Sequence, residues 1–327
     1  MSLLNVGVVY GGRSGEHEVS LRSAESIIAK LNPARYNVTR YFVSPEGKWH
    51  PRPILPEPGA NPGLDVVFPI THGTFGEDGT MQGLFELADL PYVGPGVLGS
   101  AVAMDKELAK RVLRDAGVPT VDFLVQRRGE LNVDAIIDSL GLPVFVKPAN
   151  LGSSVGISKA KTREALEAAL EEAARYDPKV IIERSISGRE FECSVLGNES
   201  LAASYPCEIL PEREFYDYEA KYVLDTTRID LPAQLDEQQT STIRQLAIDA
   251  VRALDCEGMS RVDFLLETAT GRFYVNEVNT LPGFTSISMY PKMWEHSGIA
   301  YSELLDKLID LALARHRRRK ATQFRRT

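Results

Sequence analysis

Three oxygen-bearing side chains lie on two short, largely apolar segments in the last quarter of the chain. Asp263 follows Arg261 closely, and Glu277 and Asn279 lie within the segment 276–283. Carboxylate and amide oxygens suit Mg²⁺, which binds proteins through one or two carboxylates and takes further oxygens from nucleotide phosphates. A metal ion held in this way neutralises charge on a transferring phosphoryl group. The pattern therefore predicts phosphoryl-transfer chemistry and leaves open which group receives the phosphate.

A loop rich in glycine and serine, Gly152 to Gly156, follows a segment that carries Lys147. Small residues let backbone N–H groups approach phosphate oxygens, and the hydroxyl groups of Ser153 and Ser154 add donors. The loop lacks the P-loop order of residues, and such a loop alone is more often a hairpin turn. Lys147 and Lys106 would each be interpreted singly as a surface charge. Together with the loop and the carboxylates, they favour a phosphate site.

Two further acidic residues, Glu183 and Glu190, flank a short linker that contains Ile186. Apolar walls with a few polar groups suit an adenine, and a carboxylate suits a ribose. These residues fit those roles, but two solvated glutamates that form salt bridges with basic side chains explain them equally well.

Glu16 and His72 each allow a functional and a structural interpretation. Glu16 precedes a predicted helix, where acidic side chains are favoured by the helix dipole. It also follows a predicted strand, and ligands bind at strand ends in open α/β sheets. His72 begins a glycine-rich loop at the end of another strand, where it either orients a substrate or is a satisfied structural histidine.

The predicted elements divide the chain into three parts. Strands alternate with helices over residues 1–102, which indicates a parallel, doubly wound sheet of the α/β class. A second set of strands and helices fills residues 103–188. Residues 189–327 favour a mostly antiparallel sheet. The predicted fold class of the whole chain is therefore mixed α/β, of the α+β type.

The long segment 211–232 is aromatic and charged, and a loop of this length in a compact protein is typically functional. We interpret it as a lid that excludes water.

Composition narrows the range of functions. The chain has 327 residues and a net charge of −8, which argues against general nucleic-acid binding. Its three cysteines lack paired metal spacing and are expected to be reduced thiols of a cytosolic protein. No signal peptide and no membrane-spanning apolar run are predicted. The basic segment 315–326 is interpreted as the solvated, frayed end of a last helix that stops near Arg315.

Taken together, these motifs closely resemble the D-alanine–D-alanine ligase family of the ATP-grasp superfamily. The resemblance covers nearly the whole chain, and each motif alone is a weak signal, whereas all of them in this order are a strong one. They are the segments 11–20, 72–83, 104–106, 147–148, 152–156, 215–222, 261–263 and 277–283.

The resemblance implies a three-domain ATP-grasp fold with ATP between the central and C-terminal domains. It implies that Asp263, Glu277 and Asn279 hold two Mg²⁺ or Mn²⁺ ions. The positions that correspond to ATP contacts are Lys106, Lys147, Ser153, Ser154, Glu183, Ile186, Glu190, Lys221 and Asn279. The implied reaction forms D-alanyl phosphate and then D-alanyl-D-alanine, ADP and phosphate, for peptidoglycan synthesis in the cytoplasm.

The resemblance also assigns substrate contacts. Glu16, Ser153 and Tyr222 match a hydrogen-bonded set that links the N-terminal domain, the glycine-serine loop and the lid, and Glu16 is expected to take the ammonium group of the first D-alanine. Arg261 and the N–H of Gly283 match oxyanion donors, whereas Ser288 matches a contact to the carboxylate of the second D-alanine. Members of this family are usually homodimers, and no nucleic-acid or membrane partner is expected.

Tyr222 favours an amine as the second substrate, because related ligases that use D-lactate commonly have another residue there. A ligase with D-lactate or D-serine as second substrate stays an alternative, as does a nucleotide-binding regulatory protein without turnover. A nicotinamide dehydrogenase is disfavoured, because the dinucleotide-binding glycine pattern is missing.

Overall fold

The computed structural model describes residues 3–152, 155–210 and 228–323, which form three sheets with flanking helices. In the N-terminal sheet the strand order is β3-β2-β1-β4. Its elements are β1 (Leu4–Gly11), α1 (His17–Lys30), β2 (Tyr36–Val43), β3 (Trp49–His50), β4 (Val66–Pro69), α2 (Thr80–Leu87) and α3 (Val97–Met104). Strand β1 is parallel to β2 and β4, which confirms the predicted parallel sheet, and only the edge strand β3 is antiparallel.

Helix α3 was not predicted, because its sequence is short, small and apolar throughout and shows no amphipathic period. Packing explains its position. A Cβ atom on Gly99 would lie 2.6 Å from the backbone oxygen of Asp255, so only glycine lets α3 approach that turn.

The central sheet is antiparallel, with strand order β5-β8-β6-β7. Its elements are α4 (Lys106–Asp115), β5 (Phe123–Arg127), α5 (Val133–Leu140), β6 (Val144–Pro148), β7 (Ser158–Ala160), α6 (Arg163–Tyr176) and β8 (Lys179–Arg184). Helices α5 and α6 cover it through Ile136, Leu166 and Leu170. By contrast, α4 places Ala109 and Leu113 in the core of the C-terminal sheet, so this helix joins the two units.

The C-terminal sheet is antiparallel, as predicted, with strand order β12-β11-β9-β13-β14 and β10 paired to β9. Its elements are β9 (Gly188–Gly197), β10 (Leu201–Ala203), β11 (Cys207–Leu210), β12 (Arg228–Asp230), α7 (Glu237–Ala253), β13 (Gly258–Glu267), β14 (Phe273–Asn279), α8 (Met289–His296) and α9 (Tyr301–Lys320). Strand β12 lies inside the predicted loop 211–232, whose residues 211–227 are outside the described residues. All three cysteines are free, as expected, and they are fully buried rather than partly buried.

Helix α9 corrects the prediction for the basic end of the chain. It does not fray near Arg315 but continues to Lys320. The guanidinium group of Arg315 donates to the backbone oxygens of Tyr92 and Gly94, and Lys320 lies 2.7 Å from Asp89. These partners belong to the N-terminal unit, so contacts with residues far away in the sequence hold the last turns of the helix.

One apolar cluster joins the N-terminal sheet to the C-terminal helices. Phe68 of β4 packs edge-on against Phe284, with ring centroids 6.1 Å apart, and Phe284 also packs against Tyr290 and Tyr301. Leu308 of α9 lies in the same cluster and is fully buried. Within the part of the chain that the structure describes, no helix is long and apolar enough to cross a membrane.

We predict that Leu308→Ala lowers the free energy of unfolding by about 2–5 kcal/mol, because it leaves a cavity where the N-terminal sheet meets α9. Urea denaturation monitored by circular dichroism measures this change. Leu55→Ala is the control, since Leu55 is 46 % exposed and should change the free energy by no more than about 0.5 kcal/mol. Equal midpoints for both variants would show that Leu308 does not contribute to this junction.

Candidate active site

Three carboxylates face one another across the C-terminal sheet. Asp263 on β13 lies opposite Glu277 on β14 and opposite Glu192 on β9. Like charges directly opposite on neighbouring strands repel, so this row requires a cation. Arg261 provides one, because it lies two residues before Asp263 and therefore on the same face of the sheet. Its Nε is 2.7 Å from Asp263 Oδ1 and 3.3 Å from Glu192 Oε2, and its Nη2 is 2.7 Å from Asp263 Oδ2.

The three predicted metal ligands are brought together by this register. Asn279 lies opposite Arg261 on the neighbouring strand and donates its side-chain amide to Asp263 Oδ2 at 3.1 Å. Two carboxylates and one amide form a hard oxygen set that fits Mg²⁺ with phosphate and water as further ligands. No group of three or more His, Cys, Asp or Glu residues is arranged to hold a metal ion in the described ranges. A cation at Asp263 competes with Arg261 for the same oxygens.

Two neighbouring cavities open next to this row and share a wall. The first cavity is lined by residues that include Glu16, His72, Glu77, Arg261, Asn279 and Gly283. The second cavity is lined by residues that include Phe145, Lys147, Glu183, Ile186, Glu190 and Asp263. Lys106, Leu151, Gly152 and Glu277 line both. Among the described residues, the predicted substrate contacts Glu16, Arg261 and Gly283 thus line the first cavity and most predicted nucleotide contacts line the second, with Lys106 and Glu277 between them. Asn279, a predicted nucleotide contact, lines the first cavity instead.

Glu16 reaches the first cavity because glycines on two other loops make room for it. A Cβ atom on Gly73 would lie 2.8 Å from Glu16 Oε2, and one on Gly152 would lie 3.0 Å from it. Glu16 precedes α1, but its side chain makes no capping hydrogen bond. The carboxylate is therefore placed where the N-terminal sheet meets the glycine-serine loop, as the functional interpretation requires.

His72 is a hydrogen-bonded, buried histidine that also lies at the wall of the first cavity. Its Nδ1 lies 2.9 Å from the backbone oxygen of Leu281, its Nε2 lies 3.5 Å from Ser23 Oγ, and its ring also lines the first cavity. Burial lowers the pKa of His72, which keeps the imidazole neutral. The ring thus links the N-terminal sheet to the segment that carries Gly283.

Glu77 is a site residue that the sequence did not single out. Its Oε1 accepts from the N–H of Gly73 at 2.9 Å and its Oε2 from the N–H of Leu281 at 3.3 Å. Burial, reinforced by the nearby charge of Glu16, raises the pKa of Glu77 to about 8. Its place in the glycine-rich loop after His72 was a signal, but the bond to Leu281 spans 204 positions and leaves no local pattern.

Lysines surround the second cavity. Lys106 donates to the backbone oxygen of Leu151 at 2.5 Å and lies 3.9 Å from Glu277 Oε2. Lys147 lies 2.6 Å from Glu183 Oε2. Although burial opposes it, the ammonium groups of Lys110 and Lys147 lower the pKa of Glu183 to about 2. Glu183 is thus a buried anion rather than half of a solvated pair.

Lys110 is the second residue that sequence analysis missed. It lies 2.9 Å from Glu183 Oε1. Its spacing of four residues from Lys106 places both lysines on one face of a helix, which is the signal that would have found it.

The remaining predicted residues divide into two groups. Ser288 accepts a hydrogen bond from the N–H of Thr285 at 2.9 Å, and a Cβ atom on Gly283 would lie only 2.8 Å from Ser288 Oγ. The predicted oxyanion donor and the predicted carboxylate contact are therefore adjacent. Ser153, Ser154, Lys221 and Tyr222 lie outside the described residues.

Comparisons with known proteins identify one family along the chain. The family model "D-ala D-ala ligase C-terminus" matches residues 112–310, and the "D-ala D-ala ligase N-terminus" model matches residues 5–60 and 55–95. A "D-alanine--D-alanine ligase" of Solibacter usitatus is 61% identical and covers 99% of each chain.

Two solved structures share the fold closely. The D-alanine-D-alanine ligase of Coxiella burnetii has a TM-score of 0.89 at 39% identity and covers 98% of this chain and 97% of its own. The VanG D-Ala:D-Ser ligase of Enterococcus faecalis has a TM-score of 0.87 at 35% identity and covers 95% of this chain and 100% of its own. With both family models matched along an ATP-grasp fold, this chain belongs to the D-alanine–D-alanine ligase family of ATP-dependent ligases.

Proposed function

We propose that this protein joins two D-alanine molecules to D-alanyl-D-alanine through a D-alanyl phosphate, with conversion of ATP to ADP and phosphate. The observation that carries the proposal is the wall shared by the two cavities. Lys106 and Glu277 border both, so a nucleotide in the second cavity meets a substrate carboxylate in the first. The names of the related ligases support the same reaction.

The first step has a clear physical requirement. A carboxylate is a poor electrophile, so the carboxylate of the first D-alanine attacks the γ-phosphate of ATP and becomes an acyl phosphate. Lys106 and Lys147 offset phosphate charge on the side of the second cavity, where Ile186 and Glu190 line the space for the nucleoside. Asp263, Glu277 and Asn279 would hold two Mg²⁺ or Mn²⁺ ions, which supply further charge neutralisation when bound.

The second step joins the two amino acids. Glu16 binds the ammonium group of the first D-alanine, and the amine of the second D-alanine attacks the acyl phosphate. Arg261 and the N–H of Gly283 line the first cavity, where they stabilise the oxyanion that develops. Ser288 binds the carboxylate of the second D-alanine. Ser153, Ser154, Lys221 and Tyr222 complete the proposal from the glycine-serine loop and the lid, which excludes water from the acyl phosphate.

The proposal extends to the setting of the reaction. The dipeptide supplies peptidoglycan synthesis in the bacterial cytoplasm, and the protein acts as a homodimer without nucleic-acid or membrane partners. D-serine is the alternative second substrate that an observation supports. The similar solved structure of VanG, which is 35% identical to this chain, is named a D-Ala:D-Ser ligase.

A product assay tests the proposed function. The protein is incubated with ATP, Mg²⁺ and D-alanine, alone or with D-lactate or D-serine at equal concentration, and the products are identified by mass spectrometry. We expect D-alanyl-D-alanine to dominate in every mixture, with D-alanine-dependent phosphate release. A dominant mixed product would identify a different second substrate, and no phosphate release would indicate a nucleotide-binding protein without turnover.

We predict that Glu277→Gln strongly lowers turnover and raises the Mg²⁺ concentration needed for half-maximal activity, because it removes a charged oxygen ligand. Phosphate release measured over a range of Mg²⁺ concentrations tests this. Glu267→Gln on the same sheet is the control, since Glu267 pairs with Arg184 at 2.9 Å, away from the carboxylate row. Unchanged activity of Glu277→Gln at saturating Mg²⁺ would remove Glu277 from the metal site.

We predict that Arg261→Ala lowers the turnover number by about a hundredfold or more, the usual result of losing an oxyanion donor. The loss should persist at saturating ATP and Mg²⁺, because the missing interaction forms in the transition state. Initial rates of dipeptide formation at increasing ATP concentration measure it. If high ATP concentrations restore the rate, Arg261 serves nucleotide binding rather than the oxyanion.

A further inference from the structure

A buried lysine that the proposed chemistry does not use lies next to the second cavity. Lys110 of α4 is 1% exposed, and its ammonium group lies 2.9 Å from Glu183 Oε1 and donates to the backbone oxygen of Asn276 at 3.2 Å. Lys147 contacts the same two residues, at 2.6 Å from Glu183 Oε2 and 3.3 Å from Asn276 Oδ1. Both lysines are therefore held between one strand of the central sheet and one strand of the C-terminal sheet.

We propose that Lys110 is a positioning residue for nucleotide binding, which shares the charge of Glu183 so that the ammonium group of Lys147 keeps its attraction for phosphate. The inference rests on the proposed function, because it assumes that the second cavity takes the nucleotide. Lys147 lines that cavity, whereas Lys110 is not among the described lining residues. Lys110 thus acts through Glu183 and Lys147 rather than by contact.

The charge balance of the buried set formed by Lys110, Lys147 and Glu183 supports the proposal. Counted by themselves, these two ammonium groups and one carboxylate leave a net charge of one positive unit, with Glu277 and Glu190 as further negative charges that act on Lys147, in a region where charges are poorly screened and interact strongly. Without Lys110, the carboxylate of Glu183 would neutralise Lys147, and the set would no longer attract phosphate.

Stability alone does not account for such an arrangement. Burying charged groups carries a desolvation penalty, and buried ion pairs can often be replaced by apolar side chains without loss of stability. A role in ligand binding gives a reason for two lysines around one carboxylate that a role in folding does not.

The experiment measures ADP binding by isothermal titration calorimetry with excess Mg²⁺ and no D-alanine, beside the thermal midpoint of each variant. In Lys110→Met the net charge of the set falls to zero, and we expect the Kd for ADP to rise at least about tenfold. Adding Glu183→Gln to Lys110→Met removes both opposing charges and leaves Lys147 positive. Because Glu183 itself lines the second cavity, the reference for this double variant is Glu183→Gln alone: Lys110→Met should raise the Kd no more than about threefold in that background, which a cycle of variants makes visible.

Lys179→Met is the matched control, because Lys179 is another buried lysine that pairs with two carboxylates, those of Asp105 and Glu107. It should lower the thermal midpoint while leaving the Kd within about threefold of the wild type, as expected for a site without shared partners. An equal loss of binding in Lys179→Met and Lys110→Met would overturn the proposal.

The outcomes separate this inference from the proposed function. Failure of the wild-type protein to bind ADP would contradict the proposed function itself. Binding by the wild type with an unchanged Kd in Lys110→Met would overturn only the role of Lys110. A loss of ADP binding on Lys110→Met that is equally large in the wild-type and Glu183→Gln backgrounds would assign Lys110 a purely structural role. If Lys110→Met does not fold, Lys110→Gln and Lys110→Arg replace it: the charge-balance role predicts weaker ADP binding by Lys110→Gln and wild-type affinity in Lys110→Arg, and equal Kd values for the two would overturn it.

Discussion

Repulsion between carboxylates is the constraint on which this site depends. The register of β9, β13 and β14 places Glu192, Asp263 and Glu277 in one row, which is unfavourable unless positive charge lies beside it. Arg261 occupies that place and contacts two of the three. The cation that stabilises the row is also the proposed oxyanion donor, and the same oxygens are proposed to hold Mg²⁺. In the proposed reaction, metal binding, the position of Arg261 and acyl transfer would therefore be linked through one side chain, Asp263.

A second constraint is that the first cavity needs residues from distant parts of the chain. Hydrogen bonds from the loop 72–77 to Leu281 connect the N-terminal sheet with the segment that carries Gly283. The apolar contact between Phe68 and Phe284 lies in the core that joins the same units. Because a small displacement of an oxyanion donor weakens it greatly, these contacts bear on chemistry as well as on stability.

Buried charge is distributed in a way that separates the two cavities. Lysines with their carboxylate partners lie around the second cavity, whereas the first contains the carboxylate of Glu16 beside Arg261. A positive environment suits phosphate, and a carboxylate suits an ammonium group. The lysine and glutamate side chains on the shared wall, Lys106 and Glu277, carry opposite charges, as expected where a phosphate and an amino acid meet.

Much of the site was predictable from the sequence because its chemistry resides in short motifs. Asp263, Glu277 and Asn279 could be singled out as candidate ligands from residue type and spacing, and Glu16, Lys106 and Lys147 from their positions at the ends of strands or the start of a helix. The alternation of strands and helices predicted a parallel first sheet, since periodicity is a local property. The lid contacts predicted within residues 211–227 lie outside the described residues and stay predictions.

Only the tertiary structure decided which of these residues face one another. Glu77 and Lys110 join the site through partners 204 and 73 or more positions away, which no local pattern encodes. The basic end of α9 was expected to fray because its partners, among them Asp89, lie in another unit. The sequence by itself determined the chemical groups and the local elements. The packing of three sheets determined their pairing, because electrostatic and hydrogen-bond energies depend on distances that only the folded chain brings about.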